Sequence, residues 1–592
     1  MDKRWLLYKN PDNEKVKRLA SELNINPKLG NLLFSRGITN FDEAKIFFRP
    51  QLEFLHDPFL MKDMDKAVER VLKAIEKGEK IMVYGDYDVD GTTAVALMYS
   101  FLKNFYKNIE FYIPDRYNEG YGISFKSIDY ALDNKIKLII ALDCGIKAND
   151  KVDYAKERDI DFIIGDHHRP GDIIPAAAAV LDPKQDDCPY PFKELSGCGV
   201  GFKLAQAIAI KNKIPDEKVF DLIDLVAVSI AADIVPIVGE NRVLAYYGLK
   251  KINNNPRIGI CSILKSAGVF KSEIKNSPWF FTKEITVNDL VFSLGPRINA
   301  AGRIEDATNS VRLLISTNPE YADKLGTQID ELNSTRRSLD SNITKEAIEQ
   351  IENNINNQKK RTVVVYNPEW HKGVIGIVAS RLIERFYKPT IVFTKSMDLI
   401  TGSARSIKGF DIYDGIDNSS DILEHFGGHT YAAGLALKPE RLDEFIKAFE
   451  TYASERLTDE MMIPEINIDE DLDVSDINSK FFNILKQFAP FGPGNMSPIF
   501  QSNNVIDTGY AKIVGRNGQK HLKFSVVQTT KRGAPVPAIG FNLGHHHEKI
   551  KQGQAFSICY HIDENTWQGK TTLQLRVVDI KFINPDQEEI DF

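Results

Sequence analysis

Four short stretches carry the side chains best suited to holding a divalent cation. The first, Gly85-Asp86-Tyr87-Asp88-Val89-Asp90-Gly91, sets three carboxylates at alternate positions between two glycines. The second is Asp143, in Ala-Leu-Asp-Cys-Gly, and the third is Asp166-His167-His168. The fourth is Asp233, in Ala231-Ala232-Asp233-Ile234-Val235-Pro236. Singly, each has an ordinary explanation. A lone Asp after a strand is most often a helix cap or turn residue, and a His pair in a loop is usually polar surface. Together they do not. Close carboxylate pairs repel by roughly 1–4 kcal/mol each, so a chain that gathers them needs a compensating cation. Carboxylates with one or two imidazoles suit Mn²⁺ or Mg²⁺. Two such ions about 3.5–4 Å apart would clamp a phosphoryl group and activate a water. The chemistry expected is that of a two-metal phosphodiesterase or phosphatase.

These clusters need a scaffold that brings them to one edge. Apolar runs of strand length occupy 80–84, 109–113, 138–142, 161–164 and 178–181, with helical patterns at 92–105, 124–133 and 148–157 between them. Continuous apolar strands alternating with helices predict a parallel sheet covered on both faces. The clusters are expected at the C-terminal ends of strands, the edge where such sheets bind ligands. A helix-rich part follows from about 200, ending in a long, polar helix over 320–357. A second α/β segment spans about 361–457, with strands at 362–366, 390–393 and 400–404 and a helix at 374–386. Residues 459–476 hold eight Asp/Glu and no Lys or Arg, which reads as a linker or docking edge. Beyond 480, short β runs with glycine turns at 522–527, 536–541, 555–562 and 572–582 predict a small barrel of the OB type.

The expected domains are an N-terminal helical segment (1–60), a catalytic domain (61–318), a connecting helix (319–358), a second α/β domain (359–457), and an acidic linker with barrel (458–592). Bulk features set limits. The 592 residues are 43% hydrophobic and 27% charged, ordinary for globular protein, with room for three or four domains. No apolar run reaches membrane-spanning length, and the first ten residues do not read as a signal peptide. Five cysteines without a Cys-x-x-Cys pair argue against a disulfide framework or zinc site, so a cytoplasmic home is expected. The net charge of -7 does not by itself suggest nucleic acid. Residues 510–582, however, hold eleven Lys/Arg against four Asp/Glu. Within them Phe524, Phe541, Tyr560 and Trp567 lie among Lys520, Lys523 and Arg576, a mix that suits stacking on single-stranded bases, although most are expected to be barrel core. The His545-His546-His547 tract reads as a solvated loop, since no carboxylate or Cys sits at ligand spacing.

The four clusters, in this order, resemble the DHH phosphoesterase superfamily, and more narrowly its RecJ family of single-strand exonucleases. Supporting motifs are Pro114-Asp115-Arg116-Tyr117-Asn118-Glu119-Gly120-Tyr121-Gly122, Gly295-Pro296-Arg297-Ile298-Asn299-Ala300-Ala301-Gly302-Arg303, and Trp370-His371-Lys372-Gly373-Val374-Ile375-Gly376. Ser403-Ala404-Arg405-Ser406 adds to them, and Gly427-Gly428-His429 followed by Ala432-Ala433-Gly434 resembles the DHH-associated domain. The resemblance implies that Asp86, Asp88, Asp90, Asp143, His167 and Asp233 ligate two Mn²⁺ or Mg²⁺ ions. It implies catalytic roles for Asp88, Asp143, His167 and His168, the last at the scissile phosphate or one layer behind. Many members carry a His where this chain has Tyr84, so Asp86 is expected to replace that ligand. It implies that Ser403 and Arg405 help fix a terminal 5′-phosphate, with Arg116 near the same strand and Arg297, Asn299, Gly428 and His429 also binding it. For Arg303 and Arg381, a surface ion pair is an equal reading.

The implied activity is 5′→3′ hydrolysis of single-stranded DNA to 5′-mononucleotides, in recombination and repair. A monomer working with a single-strand binding protein and a RecQ-type helicase is the implied setting, away from membranes. Two rivals are a smaller-substrate hydrolase of the superfamily (cyclic dinucleotide, oligoribonucleotide or polyphosphate) and a non-catalytic DNA-binding scaffold. The predicted barrel argues against the first, and the intact set of acidic and His residues against the second.

Overall fold

The computed structural model describes all residues except 1, 10–11, 274–276, 355–358, 516–519, 531–532, 568–569 and 583–592, and leaves out the side chains of Trp567 and Lys570. The chain forms two compact units. One is built from Leu55–Val235 and Gly239–Pro464, and the other from Lys3–Phe54, Pro236–Val238 and Glu465–Phe592.

The first unit opens with a five-stranded parallel sheet. Its order is Ile109–Tyr112, Lys80–Gly85, Ile136–Leu142, Asp161–Gly165, Ala179–Leu181. By position in the chain that is 2-1-3-4-5, so the strand order reverses between Lys80–Gly85 and Ile136–Leu142. Gly85, Leu142, Gly165 and Leu181 stand in one row across the sheet. Asp86, Asp143, Asp166 and Asp182 therefore fall together in the next row, at the C-terminal edge. The helices Val89–Lys103, Gly197–Asn212 and Ile223–Ala232 are buried almost all round. That explains one correction: Asp233 follows no strand but caps the C-terminus of helix Ile223–Ala232. A run apolar on every side has no period by which to tell a buried helix from a strand.

A 34-residue helix, Pro319–Glu352, leads to the second sheet of this unit. The 320–357 expectation overran it; 355–358 lie outside the described residues. That sheet has the order His425–His429, Ala432–Leu437, Leu399–Arg405, Thr390–Ser396, Val363–Tyr366, antiparallel except for its last pair. Helices Ile375–Phe386 and Leu442–Arg456 pack on it.

The second unit is a closed barrel. Phe500–Asp507 pairs with both His521–Gln528 and Phe556–Trp567, and Val536–Gly540 with Lys570–Phe582 completes the ring. Five closed strands fit the expected OB architecture. The acidic stretch is no free linker. Glu465–Ile468 pairs in parallel with Arg4–Leu7, and Glu470–Asp471 joins the barrel. Its carboxylates meet basic residues of the N-terminal segment: Arg4 with Glu465, Lys28 with Glu470 at 2.9 Å, Arg36 with Asp469 at 3.7 Å. The docking edge thus receives the chain's own N-terminus, whose helices share a core with the barrel through Leu29, Leu33, Phe488 and Phe500.

Candidate metal centre and the cleft beside it

The centre is built around one imidazole. His167 Nε2 lies 3.1 Å from Asp143 Oδ1, 3.6 Å from Asp233 Oδ2 and 3.7 Å from Asp90 Oδ2. Ligand atoms of Asp90, His167 and Asp233 form one group within 4.8 Å, and those of Asp143, His167 and His168 form another. Both His167 nitrogens and Asp143 Oδ1 are buried without a hydrogen-bond partner. Burial, then Asp90, Asp88 and Asp233, pushes the Asp143 carboxyl far above its usual range. Burial, then Asp90 and Asp88, pushes Asp233 to about 8. Burial lowers His167, against the pull of Asp90. Unpartnered imidazole nitrogens among crowded carboxyl oxygens make a donor set that a cation would complete. The donor set, hard oxygens with imidazole, fits Mn²⁺ or Mg²⁺.

Local structure fixes these ligands. Asp143 is held in the left-handed region, φ +61°, by its place past the strand end. Gly197 packs so closely that a Cβ there would lie 2.5 Å from Asp143 Cβ. Asp90 accepts from Gly197 N, Cys198 N and Ser229 Oγ, each at 2.7 Å. It sits at the N-terminus of helix Gly197–Asn212, where a carboxylate is favoured.

Asp166 plays a different part from its neighbours in the motif. It accepts from Ile146 N (2.9 Å), His167 N (2.8 Å) and His168 N (3.1 Å), and its Oδ1 meets His168 Nδ1 at 2.7 Å. Despite burial, these bonds and the His168 charge hold Asp166 at about 2. His168, though desolvated, is raised to about 9 by that same partner. Asp166 is thus the holder of His168, while His168 Nε2 reaches Tyr121 Oη at 3.2 Å.

Asp86 and Asp88 stand outside both ligand groups. Asp88 caps helix Val89–Lys103, accepting from Gly91 N at 3.0 Å, as a residue past a strand often does. Burial, then Asp88, raises Asp86 to about 8; burial, then Asp90, raises Asp88. Tyr84 is buried, and its hydroxyl donates to Gly122 O at 2.7 Å. Asp182 escaped the sequence reading because Asp-Pro looks like a turn. It is fully buried, Oδ2 has no partner, and burial raises it to about 7. The row it shares with Asp143 and Asp166 is visible only once the strands are aligned.

Beside the centre lies a cleft of about 170 Å³ lined by Ala232, Val291, Asn299, Arg303 and Arg336, among others. Arg303 forms no ion pair among the described residues. It donates to Gly373 O at 3.1 Å, and burial, then Arg116, Arg336 and Arg405, lowers it to about 10. The surface-pair reading fails for Arg303 and holds for Arg381, which meets Asp340 at 2.7 Å. Arg297, proposed to line the strand, is tied to Asp330 at 2.8 Å and to Ser293 O at 2.7 Å. Arg116 lies over the Tyr87 ring, 5.0 Å from its centroid. Ser403 and Arg405 are 3.2 Å apart, and both crowd Gly376 near the start of helix Ile375–Phe386. His429 is exposed. Gly428 has φ +156° and faces Ala432 and Ala433 of its own sheet, so its lack of a side chain serves that pairing.

In the barrel, Phe524 and Tyr560 are core, whereas Phe541 is 54% exposed. The Trp567 side chain lies outside the described residues. Tyr510, 73% exposed, was missed because it precedes its strand. The His tract forms a short turn and helix start, with His547 Nδ1 on Glu548 at 2.9 Å, and joins no metal-binding group among the described residues.

Comparison with known proteins agrees with this layout. Profiles of the DHH family N-terminal domain, the DHHA1 domain and the RecJ OB domain match residues 80–230, 359–455 and 468–579. The chain is 38% identical over 578 residues to the single-stranded-DNA-specific exonuclease RecJ of Bacillus subtilis, covering 97% of this chain and 70% of that one. It is 31% identical over 577 residues to the Escherichia coli protein of the same name, covering 94% and 96%. The crystal structure of Thermus thermophilus RecJ with Mn²⁺ superposes with a TM-score of 0.82 at 24% identity, over 99% of this chain and 81% of that one. A second, exonuclease RecJ bound to manganese, gives 0.58 at 28% identity, over 69% and 97%. Among the described residues, no helix is long and apolar enough to cross a membrane. Domain profiles in this order, and relatives alike over nearly the whole chain, mean that it belongs to the RecJ family of the DHH superfamily.

Proposed function

We infer that this chain is a single-stranded-DNA-specific exonuclease, a hydrolase of phosphodiester bonds that works with Mn²⁺ or Mg²⁺. One observation carries it: a buried imidazole faces three carboxylates, its nitrogens unpartnered, beside an arginine cleft. Asp90, Asp143, His167 and Asp233 would hold the ions, with Asp86 and Asp88 completing the second site. When bound, the ions stabilise charge on the phosphoryl oxygens and lower the pKa of the attacking water. The protein's own groups do the positioning. Asp166 fixes the His168 ring and keeps it cationic, so that it can donate to a phosphate oxygen. Arg303, short of carboxylate partners, is poised for the DNA backbone.

We propose 5′→3′ polarity with release of 5′-mononucleotides. Ser403 and Arg405, packed near a helix N-terminus, support a bound 5′-phosphate there, with Arg116 near it. Asn299, Gly428 and His429 would follow the strand, and Arg297 would shape the cleft through Asp330. The segments would divide the work as catalytic domain (61–318), connecting helix (319–358), 5′-phosphate domain (359–457) and single-strand-binding barrel (458–592). Roles in recombination and repair, a cytoplasmic monomer, and partnership with a single-strand binding protein and a RecQ-type helicase belong to the same reading. The test is 5′-labelled single-stranded DNA with Mn²⁺. Wild type should release labelled mononucleotide and Asp143→Ala should not; equal activity would remove the metal centre from the account. Arg405→Ala should weaken the preference for a 5′-phosphate while leaving metal affinity unchanged.

A further inference from the structure

Two exposed apolar residues stand within two positions of residues that line the cleft, each in a rare backbone conformation. Ile234 follows the candidate ligand Asp233, is 65% exposed, and has φ +62°. A β-branched residue at positive φ is strained, and glycine or asparagine would make the same turn without the clash. Phe292 is 74% exposed at the middle of the π-helical turn Leu290–Leu294. Such turns are uncommon and gather at functional sites. The two elements meet: a Cβ on Gly295, just after the π turn, would lie 3.7 Å from Ala232 Cβ. Ala232 and Val291 both line the arginine cleft, two residues before Ile234 and one before Phe292. Val235, Leu290 and Leu294 of the same elements are buried and Val291 is half-buried, whereas these two are exposed.

We propose that Ile234 and Phe292 grip an unstacked nucleobase of the DNA strand whose phosphate lies against Arg303, the cleft guanidinium with no ion pair among the described residues, Arg336 being paired with Asp340 at 3.2 Å. The occupant follows from the surroundings. A guanidinium beside an apolar pair matches a phosphate next to a base, and single strands offer base faces that a duplex keeps stacked. This contact would then contribute to strand specificity. The inference rests on the exonuclease reading, and its test is separable from that reading.

The probes are 5′-phosphorylated, 3′-fluorescein oligonucleotides, either normal or abasic at the first three positions, bound to full-length protein in EDTA. Wild type should bind the normal probe about tenfold more tightly than the abasic one. Ile234→Gly combined with Phe292→Ser should bind both alike while melting no lower than wild type, because the first change relieves strain. With Mn²⁺, KM for normal DNA should rise in the variant more than kcat falls. Phe292→Tyr, alone, should keep the discrimination. Equal wild-type binding of both probes, or full discrimination by the double variant, would overturn the proposal. A wild type that discriminates but never cleaves would instead count against the exonuclease reading.

Discussion

Gly197→Ala should uncouple catalysis from DNA binding. Gly197 opens helix Gly197–Asn212, and its N–H donates to Asp90 Oδ2 at 2.7 Å. A Cβ placed there would lie 2.5 Å from Asp143 Cβ, 2.7 Å from Oδ1 and 2.8 Å from Cα. Ordinary contact needs about 3.4 Å or more, so something must move by roughly 0.9 Å. Asp143 cannot yield by a rotamer change, since its own Cα and Cβ are struck and its φ is already left-handed. Overpacking of this kind costs about 1–3 kcal/mol, which a chain of this size survives. A shift near 1 Å in a catalytic group, however, costs about a hundredfold in rate. The expected result is kcat on single-stranded DNA with Mn²⁺ reduced about 100-fold, with oligonucleotide affinity in EDTA within twofold of wild type. Gly201→Ala, on the same helix, is the control: its Cβ would meet the flexible Leu142 Cδ1 at 3.3 Å. That variant should keep wild-type kinetics. If Gly197→Ala retained more than a third of wild-type kcat, the argument that this glycine seats Asp143 would fail.

Three further outcomes follow from the electrostatics. Asp143→Asn removes a buried carboxylate from a repelling group, so in EDTA it should melt above wild type, by about 1–3 kcal/mol of stability, yet lose most of the rise that Mn²⁺ gives wild type; differential scanning fluorimetry with and without the ion reads both. Arg303→Met should raise apo stability by up to about 3 kcal/mol in urea titration, since a drop from 12.5 to about 10 measures the cost of holding that charge, and should weaken oligonucleotide binding at least tenfold; a destabilised variant with unchanged binding would contradict both halves. In the barrel, burial, then His545, lowers His546 to about 4, so the folded state refuses a proton that the unfolded chain accepts below about 6.5. Stability tied to this group is whole above pH 6.5 and fades as the pH falls toward 4. His546→Gln should therefore lose less stability than wild type across that window, by about 1 kcal/mol after allowing for partial exposure, and parallel curves would refute the assignment.

The catalytic edge was readable in advance because a parallel sheet writes itself plainly. Its strands are short apolar runs, its crossover helices fill the gaps, and each acidic residue just past a run lands on the same edge. Asp86, Asp143 and Asp166 were located that way. What the sequence withheld was the division of labour among them. Asp143 and Asp166 occupy equivalent positions after adjacent strands, yet one has an orphaned oxygen and the other accepts four hydrogen bonds. That difference comes from Ile146 and the His168 ring, which fold back onto Asp166, and no local pattern encodes it. Arg303 was equally opaque. A lone arginine in a helix reads equally as surface or site until Tyr117, Gly373 and the arginines around it are seen beside it. For the barrel aromatics the expectation that most are core agrees with the structure, but the sequence could not say which. Alternation alone gives no way to choose the inner face, and Phe524 and Tyr560 went inside while Phe541 stayed out.

The net charge of -7 illustrates why an average misleads about partners. The acidic run 459–476 is largely absorbed within the second unit, where Arg4, Lys28 and Arg36 of the N-terminal segment answer Glu465, Glu470 and Asp469. Another share of the acids gathers at one sheet edge and the end of helix Ile223–Ala232, where burial and mutual repulsion favour a cation or a proton over a free carboxylate. The arginines follow the opposite rule. Arg303 and Arg405 are largely desolvated and form no ion pair with Asp or Glu among the described residues, so their charge is not spent internally. A desolvated cation left unpaired costs stability, which an anion arriving from outside would offset. The sign that matters for binding is that of the charges the fold leaves unanswered, and on this protein those are positive beside the metal centre.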